Sequence, residues 1–436
     1  MSQKPKWGIV GGGIMGMTLA FRLSQQGYDV DIFEAAPDLG GLTSAWKIGD
    51  YTWDKFYHVI LPDDTYTLGI LKEIGLESKV KWVETKTGFY VDGKFYSMSD
   101  TMEFLKFPPL NLIDKFRLGL TIMVGSYSTN WKKLEQIPVT KWLLRWSGKR
   151  TFNKIWLPLL KAKLGYQYKD TSAAFICATI QRLYKARKKG SKKEVFGYVE
   201  GGYANILESF KNKLVEQKIG LNTGYKVQNI EQENNGNITI KFHNQEPKSY
   251  DRVIVTLPST IAASVCNGLT SDEINKLKGI DYLGVICTSV LLKKPLTPYY
   301  VTNITDTELP FTGIIEMTAL VDKKNFGGNS LVYLPKYVSA SDPLFDASEE
   351  EVKDYFLESL NKMHPDLTAD DILVSSLARA RQVIALPVMG YLQKLHGFTT
   401  SIPNLFIVNS ALITDGTLNV NETVKIAETR LEQILK

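Results

Sequence analysis

Cysteine and histidine are scarce in this chain of 436 residues, which contains three cysteines and four histidines. The cysteines form no CxxC pair and are odd in number, which argues against a disulfide framework and favours a reducing compartment. The histidines show no metal-ligand spacing, so we expect no metal site. No GxSxG elbow supports a Ser–His–Asp hydrolase. The residues concerned are Cys177, Cys266, Cys287, His58, His243, His364 and His396.

Long apolar runs are also missing. A membrane-spanning helix needs roughly 18 consecutive apolar residues, and the best candidate, residues 118–124, is far shorter. The N-terminal residues MSQKPKWGIV lead into a strand-like run and not into an apolar leader. We therefore expect a cytoplasmic protein of two or three domains. Any membrane contact would be peripheral, at the inner face of the membrane.

The net charge of +6 is unevenly distributed along the chain. Residues 130–193 contain 17 Lys or Arg and only two acids, Glu135 and Asp170, which gives this segment +15 and leaves −9 for the rest. Two interpretations of this positive segment are open: a solvated helical face with a basic loop, or a surface that meets anionic lipid or an anionic substrate. Residues 182–193, with seven cations among apolar residues, are the candidate for a lipid surface. We expect no nucleic-acid partner.

Glycines at the start of the chain have the spacing GxGxxG, at Gly11, Gly13 and Gly16. A β-prone run at residues 7–10 precedes them, and apolar residues at helical spacing follow over 14–26. A second predicted strand, residues 30–33, ends at Glu34, roughly 20 residues after the glycines. This order predicts a dinucleotide site.

Each position in this pattern has a physical role. Gly11 permits the tight turn, Gly13 lets the backbone approach a pyrophosphate, and Gly16 brings the helix close to the sheet. The free N–H groups at the helix start, around Ile14 and Met15, favour negative phosphates. Glu34 can accept both ribose hydroxyls, and its charge disfavours NADP.

After Glu34 the sequence continues through Ala35 to a second glycine pair, Gly40 and Gly41. With this pair, the chain resembles the superfamily of flavin-containing amine oxidases, protoporphyrinogen oxidases and phytoene desaturases. The resemblance implies FAD and not NAD. Relatives usually follow the pair with Arg or Lys, where this chain has Leu42. The matching pattern GxGxxGxxxAxxLxxxGxxVxxxE falls on Gly11, Gly13, Gly16, Ala20, Leu23, Gly27, Val30 and Glu34.

The resemblance recurs in two later segments. It implies a backbone contact to adenine near Val227 and a strand-end motif that contains Thr256. It also implies that a final helix, predicted over residues 420–435, points its N-terminus at the flavin. Relatives usually show Gly-Asp or Gly-Glu where this chain has Asn409 and Ser410, and no cysteine there offers a covalent flavin link. The candidate contacts in this last segment are Asp415, Asn419 and Val420.

The predicted fold class is α/β, with a Rossmann-like FAD-binding domain assembled from residues 1–60, 196–262 and 395–436. A mixed-sheet substrate domain is expected from residues 61–103 and 263–394. Its predicted strands cover 283–292, 312–317 and 330–334, and a hairpin over 88–96 turns at an Asp-Gly pair. Residues 104–195 are expected to form a basic helical cap, with helix breaks at the prolines 108–109, 138 and 158. Strands are also predicted at 225–227, 238–242 and 250–257.

Four residues are the candidates for chemistry. His58 and Tyr57 lie in a stretch that passes the flavin ring in relatives, and a histidine suits proton transfer near neutral pH. The alternative for His58 is a structural role beneath the flavin. Arg381 is a candidate for holding an anionic substrate group, with a surface ion pair as its alternative. Tyr391 is a candidate for the pocket wall.

Three functions remain open from the sequence. The first is an FAD-dependent oxidase, dehydrogenase or desaturase that acts by hydride transfer on an apolar or amphipathic, including anionic, small molecule, lipid or isoprenoid. The second is a redox-neutral isomerase of the nucleotide-sugar mutase type. The third is a non-catalytic FAD-binding scaffold. The sequence leaves the oligomeric state open.

Overall fold

The computed structural model describes residues 4–185 and 194–436. Its strands are β1 Lys6–Val10, β2 Asp29–Glu34, β3 Ala45–Ile48, β4 Tyr51–Asp54, β5 Val80–Thr85, β6 Thr87–Val91, β7 Lys94–Ser97, β8 Glu194–Val199, β9 Gly220–Thr223, β10 Val227–Gln232, β11 Ile238–Phe242, β12 Lys248–Tyr250, β13 Arg252–Val255, β14 Tyr282–Leu292, β15 Val301–Ile304, β16 Gly313–Glu316, β17 Ser330–Ser339, β18 Ile372–Ala385 and β19 Leu405–Ile407.

The helices are α1 Ile14–Gln25, α2 Thr65–Glu73, α3 Thr101–Lys106, α4 Leu112–Tyr127, α5 Trp131–Leu134, α6 Val139–Thr151, α7 Leu157–Leu164, α8 Ala173–Lys185, α9 Gly202–Glu216, α10 Ser259–Val265, α11 Ser271–Lys278, α12 Glu349–Met363, α13 Tyr391–Lys394 and α14 Val420–Leu435.

A five-stranded parallel sheet brings together distant parts of the chain, in the order β19-β13-β1-β2-β9. Its central strands β1 and β13 are almost entirely buried, as expected for a parallel sheet covered on both faces. Helices α1, α9 and α14 cover one face, where Leu19, Phe210 and Ala427 share one apolar core. The small sheet β10-β11-β12 and helices α10 and α11 cover the other face.

A second, seven-stranded sheet has the order β18-β14-β17-β16-β15-β6-β7. It is mixed, because β15 pairs with β6 in parallel and the other neighbours are antiparallel. Helices α3 to α8 form a separate layer around buried residues such as Leu118, Leu143 and Ile180, and α7 of this layer packs on β17. The observed architecture is therefore α/β, with a parallel sheet and a mixed sheet.

Most predicted elements are confirmed. The first helix, the last helix and the strand over 238–242 appear as α1, α14 and β11. The predicted hairpin forms β6 and β7, and Asp92 and Gly93 at its turn have φ angles of 51° and 73°. Positive φ at both central residues is the signature of the two-residue turn that an Asp-Gly pair favours.

Three predictions about elements are wrong, and one strand was missed. The strand expected at 225–227 begins only at Val227, and the one expected at 250–257 is two strands, because β12 pairs in the small sheet while β13 joins the parallel sheet. Pro158 does not break its helix: it lies in the first turn of α7, which continues from α6 through a π-helical turn at Phe152–Trp156. Strand β18, the longest of the described strands, was not anticipated, because polar residues interrupt its apolar pattern.

We expect Gly16→Ala to destabilise the fold. A Cβ at Gly16 would lie 1.9 Å from the carbonyl oxygen of Gly11, so α1 would have to move away from the sheet. We expect thermal unfolding to show a loss of about 1–3 kcal/mol. The matched control is Gly69→Ala in α2, where a Cβ meets nothing within 4 Å and a gain of about 0.5–1 kcal/mol is expected. A Gly16→Ala protein that unfolds at or above the wild-type temperature would contradict this account.

Candidate functional site

The turn between β1 and α1 is fixed by contacts to both neighbouring strands. The Gly11 N–H donates to the Phe33 carbonyl of β2 at 2.8 Å. Thr256, which follows β13, donates through Oγ1 to the Val10 carbonyl at 3.0 Å. Gly11 has φ +108°, and a Cβ there would lie 2.3 Å from the Thr256 hydroxyl oxygen. Only glycine fits both the conformation and the space.

The start of α1 is open. A Cβ built on Gly13 would approach nothing closer than the Gly41 Cα at 4.0 Å, and no side chain caps the helix. The Gly40 N–H donates to the Gly12 carbonyl at 2.9 Å, which holds the second glycine pair against the first loop. Because the first-turn N–H groups of a helix lack intrahelical partners, this uncapped end fits an anionic group such as a pyrophosphate.

Glu34 lies at the carboxyl end of β2, beside this loop. Its Oε2 accepts the Gly12 N–H at 2.7 Å and its Oε1 accepts the Ala36 N–H at 2.9 Å. The carboxylate is half-buried. Charge-assisted bonds of this kind hold a carboxylate in one orientation. The predicted acid is therefore brought to the predicted glycines.

The other predicted cofactor residues are spread around the same sheet. Val227 begins β10 and is half-buried, while Ala35 and Leu42 flank the glycine loops. Asn419 caps α14 by accepting the Glu422 N–H at 3.0 Å, and Val420 is the first residue of that helix. In contrast to α1, the N-terminus of α14 has a capping side chain.

Buried Asp54, at the end of β4, lies beside half-buried His58. One Asp54 oxygen accepts the Tyr203 N–H at 2.8 Å, and the other lies 3.8 Å from His58 Nδ1. Burial raises the pKa of Asp54 to about 8 and lowers the pKa of His58 to about 4. Between these values both groups are neutral. His58 Nδ1 has no hydrogen-bond partner within the described residues.

Tyr57 points to a second group of side chains. Its hydroxyl lies 3.0 Å from the Tyr337 hydroxyl of β17, and the Lys163 ammonium of α7 lies 3.2 Å from the centroid of the Tyr337 ring. Burial raises the pKa of Tyr57 to about 12 and lowers the pKa of Lys163 to about 7. These side chains are nevertheless only half-buried and keep some accessible surface.

Sequence reasoning missed Lys163 and Tyr337. Lys163 is one of 17 cations in the basic segment, and Tyr337 lies beyond the predicted end of its strand at residue 334. One signal was available: Lys163 follows Leu159 and Leu160 at spacings of four and three, so it shares their helix face.

The two remaining candidates lie elsewhere. The Arg381 guanidinium pairs with Asp346, and its side chain is 47% exposed. Arg381 thus forms a surface ion pair, which was the alternative to a role in holding an anionic substrate group. Tyr391 is buried, donates to the Ala411 carbonyl at 2.9 Å and lines a cavity of about 630 Å³ between α5 and α14. Asp415, which pairs with Lys425 at 3.1 Å, lines the same cavity.

In the basic segment, Arg182 pairs with Asp64, and residues 186–193 lie outside the described residues.

Over 4–185 and 194–436, no cluster of three or more His, Cys, Asp or Glu is placed to hold a metal ion. Within the same ranges, no helix combines the length and apolarity needed to cross a bilayer.

Comparison with known proteins places these features in a family. A flavin-dependent L-tryptophan oxidase, RebO, from Lentzea aerocolonigenes is 21% identical over 407 residues, which are 85% of this chain and 83% of that protein. A zeta-carotene desaturase from Synechocystis sp. is 24% identical over 235 residues, 48% of this chain and 47% of that protein. The chain thus spans about half the length of the desaturase in that alignment.

The structure of an oxidoreductase from Methanosarcina mazei superimposes with a TM-score of 0.75 at 19% identity, and the match covers 98% of this chain and 100% of that one. The family model described as flavin containing amine oxidoreductase matches residues 14–417, most of the chain. The chain therefore belongs to the flavin containing amine oxidoreductase family and is an FAD-dependent oxidoreductase.

Proposed function

We propose that this protein binds FAD non-covalently and oxidises an apolar or amphipathic small molecule, such as a lipid or an isoprenoid, by hydride transfer. The observation that carries the proposal is a group of half-buried apolar and aromatic side chains, Tyr57 among them, that pack against one core and keep accessible surface. A lining of this kind favours a largely apolar substrate. These side chains are Trp46, Phe56, Tyr57, Tyr337 and Val383.

The glycine loops would hold the cofactor. The open first turn of α1, at Ile14 and Met15, would face the pyrophosphate, and Gly13 leaves room for it. Glu34 would accept the ribose hydroxyls. Val227 would meet the adenine, and the N-terminus of α14, at Val420, would face the flavin ring.

Bound FAD would supply the hydride acceptor. His58 would take up or release a proton at Nδ1, which is neutral and lacks a hydrogen-bond partner in the described chain. Asp54, protonated below about pH 8 and 3.8 Å from Nδ1, would add no charge beside that ring. Tyr57 would position the substrate beside it. Arg381 has no part in this proposal, because Asp346 already engages its guanidinium.

We expect Glu34→Gln to weaken FAD binding. The change keeps the shape of the side chain but removes the charge that the ribose hydroxyls would meet, and a hydrogen bond to a charged group is worth about 1.5–3 kcal/mol. The Kd for FAD should rise roughly ten- to hundredfold, as measured by calorimetric titration of flavin-free protein. The matched control is Asp29→Asn on the same strand, whose side chain is 67% exposed. Equal affinity in wild type and Glu34→Gln would remove Glu34 from the site.

The proposed reaction is tested by following flavin absorbance without oxygen. We expect the oxidised flavin band of the purified protein to bleach on mixing with a lipid extract and not with nucleotide sugars. Bleaching by neither, with turnover of a nucleotide sugar only after chemical reduction of the flavin, would instead support the mutase alternative. Bound flavin that no pool reduces and that turns over no sugar would support the scaffold alternative.

We also propose that the protein docks on an anionic membrane surface. Helices α3 and α4 expose an apolar surface, here called the cap face, in which Leu112, Ile113 and Phe116 are 75%, 70% and 72% exposed. Exposed large apolar side chains rarely cluster in this way on a monomer. The cap face consists of Met102, Leu105, Leu112, Ile113, Phe116, Met123 and Tyr127.

Cations occur next to the cap face in sequence and on the helix that packs beside α4. Lys106 and Arg117 follow its residues in sequence, and α6, which packs against α4, exposes Lys141 and Lys149. An apolar helix face bordered by cations is the composition that binds anionic lipid surfaces peripherally. Charge complementarity therefore favours an anionic bilayer as the occupant of the cap face, and an amphipathic substrate would be available there.

We expect the protein to sediment with phosphatidylglycerol vesicles and much less with phosphatidylcholine vesicles. Replacing Leu112, Ile113 and Phe116 together by Gln should lower vesicle affinity at least about tenfold, since each buried side chain of this size contributes about 1.5–3 kcal/mol. The control is Val215→Gln in α9, which is 56% exposed. Unchanged sedimentation of the triple variant would contradict the docking proposal, and loss of a dimer in light scattering would assign the cap face to a second copy.

A further inference from the structure

Lys163 occupies an unusual position in the cap. It lies one residue before the end of α7, between the buried Leu160 and Leu164, while Lys161 on the same helix is exposed. Its side chain runs towards β17 and places Nζ over the Tyr337 ring, 3.2 Å from the centroid. The cation thus lies over the ring whose hydroxyl pairs with the Tyr57 hydroxyl at 3.0 Å.

This ammonium has no anionic partner. In the part of the chain that the structure describes, no carboxylate lies within 4.0 Å of Lys163 Nζ, and no hydrogen bond to this atom is formed. Lys115, a buried lysine of the same layer, instead donates to the Leu105 carbonyl at 2.7 Å. A ring face offsets only part of the cost of removing a charge from water. Burial accordingly lowers the pKa of Lys163 to about 7.

The surroundings of Lys163 fit an anion better than a cation. One of the paired Tyr57 and Tyr337 hydroxyls donates to the other, so one O–H remains free to donate to a bound oxygen. The nearest acid of the Tyr57 segment, Asp54, is engaged by the Tyr203 N–H and is kept protonated by burial below about pH 8. A protonated amine would meet Lys163 without a compensating carboxylate.

We propose that Lys163 binds an anionic group, a carboxylate or a phosphate, of an amphipathic substrate whose apolar part lies along the aromatic lining. The inference rests on the proposed function for the redox step that follows binding. It also implies that the substrate is not a protonated amine, although the family is described as one of amine oxidoreductases.

The test is calorimetric titration of the purified protein, after its flavin content is measured, with four ten-carbon probes: decanoate, decyl phosphate, decanol and decylammonium. We expect decanoate or decyl phosphate to bind at least tenfold more tightly than decanol, and decylammonium more weakly than decanol. The tighter of the two anions identifies the headgroup as carboxylate or phosphate.

Variants test whether the Lys163 ammonium causes the preference of the protein for the anionic probes over decanol. Lys163→Met should abolish the preference for the anion and leave the Kd for decanol within twofold, and Lys163→Arg should keep most of it. Lys161→Met, on the exposed side of the same helix, should behave as wild type. We expect Lys163→Met to unfold at the wild-type temperature or above, because it removes a buried, unpaired charge, and Lys163→Gln provides a second neutral variant if Met does not fold.

Two results would overturn the inference: equal binding of decanol and both anions by the wild type, or an equal loss in Lys161→Met and Lys163→Met. Both results come from binding calorimetry alone and do not depend on the redox activity of the protein. A protein without flavin would refute the proposed function, whereas the anion preference and its loss in Lys163→Met would still decide the role of Lys163.

Discussion

The close approach of α1 to the turn at Gly11 is the contact on which the rest of the structure depends. Gly16 allows it, because any Cβ at this position would collide with the Gly11 carbonyl. The same turn is bonded to β2 through Phe33 and to β13 through Thr256. A single backbone contact therefore sets the position of the helix start, the neighbouring strands and the acid Glu34 relative to one another.

The side chains of the candidate site come from several separate elements of the fold. The Asp54–His58 segment leaves β4 and is bonded to the start of α9, Tyr337 comes from the mixed sheet, and Lys163 comes from the cap. Burial raises the pKa of Asp54 and lowers the pKa of His58 and Lys163. It therefore keeps Asp54 protonated, keeps His58 neutral and makes Lys163 easier to deprotonate. Near neutral pH Asp54 and His58 are thus uncharged, and Lys163 is the member of this group that can carry a charge to meet the proposed anion.

The strand–glycine turn–helix–strand unit at the start of the chain could be predicted from the sequence, because its signals are local. The glycine spacing, the helical period of residues 14–25 and the acid at the end of β2 lie within about 25 residues. The same holds for the Asp92–Gly93 turn. The error at Pro158 was also local, since a π-helical turn before α7 accommodates the proline.

The candidate site could be predicted only in part, because its contacts join distant segments. Nothing near Lys163 in sequence shows that it faces Tyr337, which is 174 residues later. Arg381 and Tyr391 were chosen from resemblance, and tertiary contacts with Asp346 and Ala411 decide their surroundings. Strand β18 was missed because polar residues interrupt its apolar pattern, and distant partners such as the Ala347 carbonyl, which accepts from Arg379, cannot be read from the linear sequence.

The packing of α14 against α1 has a consequence for how the protein is made. The apolar core beneath the parallel sheet joins Leu19 and Phe21 to Val424 and Leu431, and Arg22 bonds to Glu428 across 406 residues of chain. During synthesis, the ribosome exposes the apolar face of α1 long before its final partner leaves the exit tunnel. The nascent chain must therefore keep that face covered by α9, by the cofactor or by a chaperone for most of the translation time.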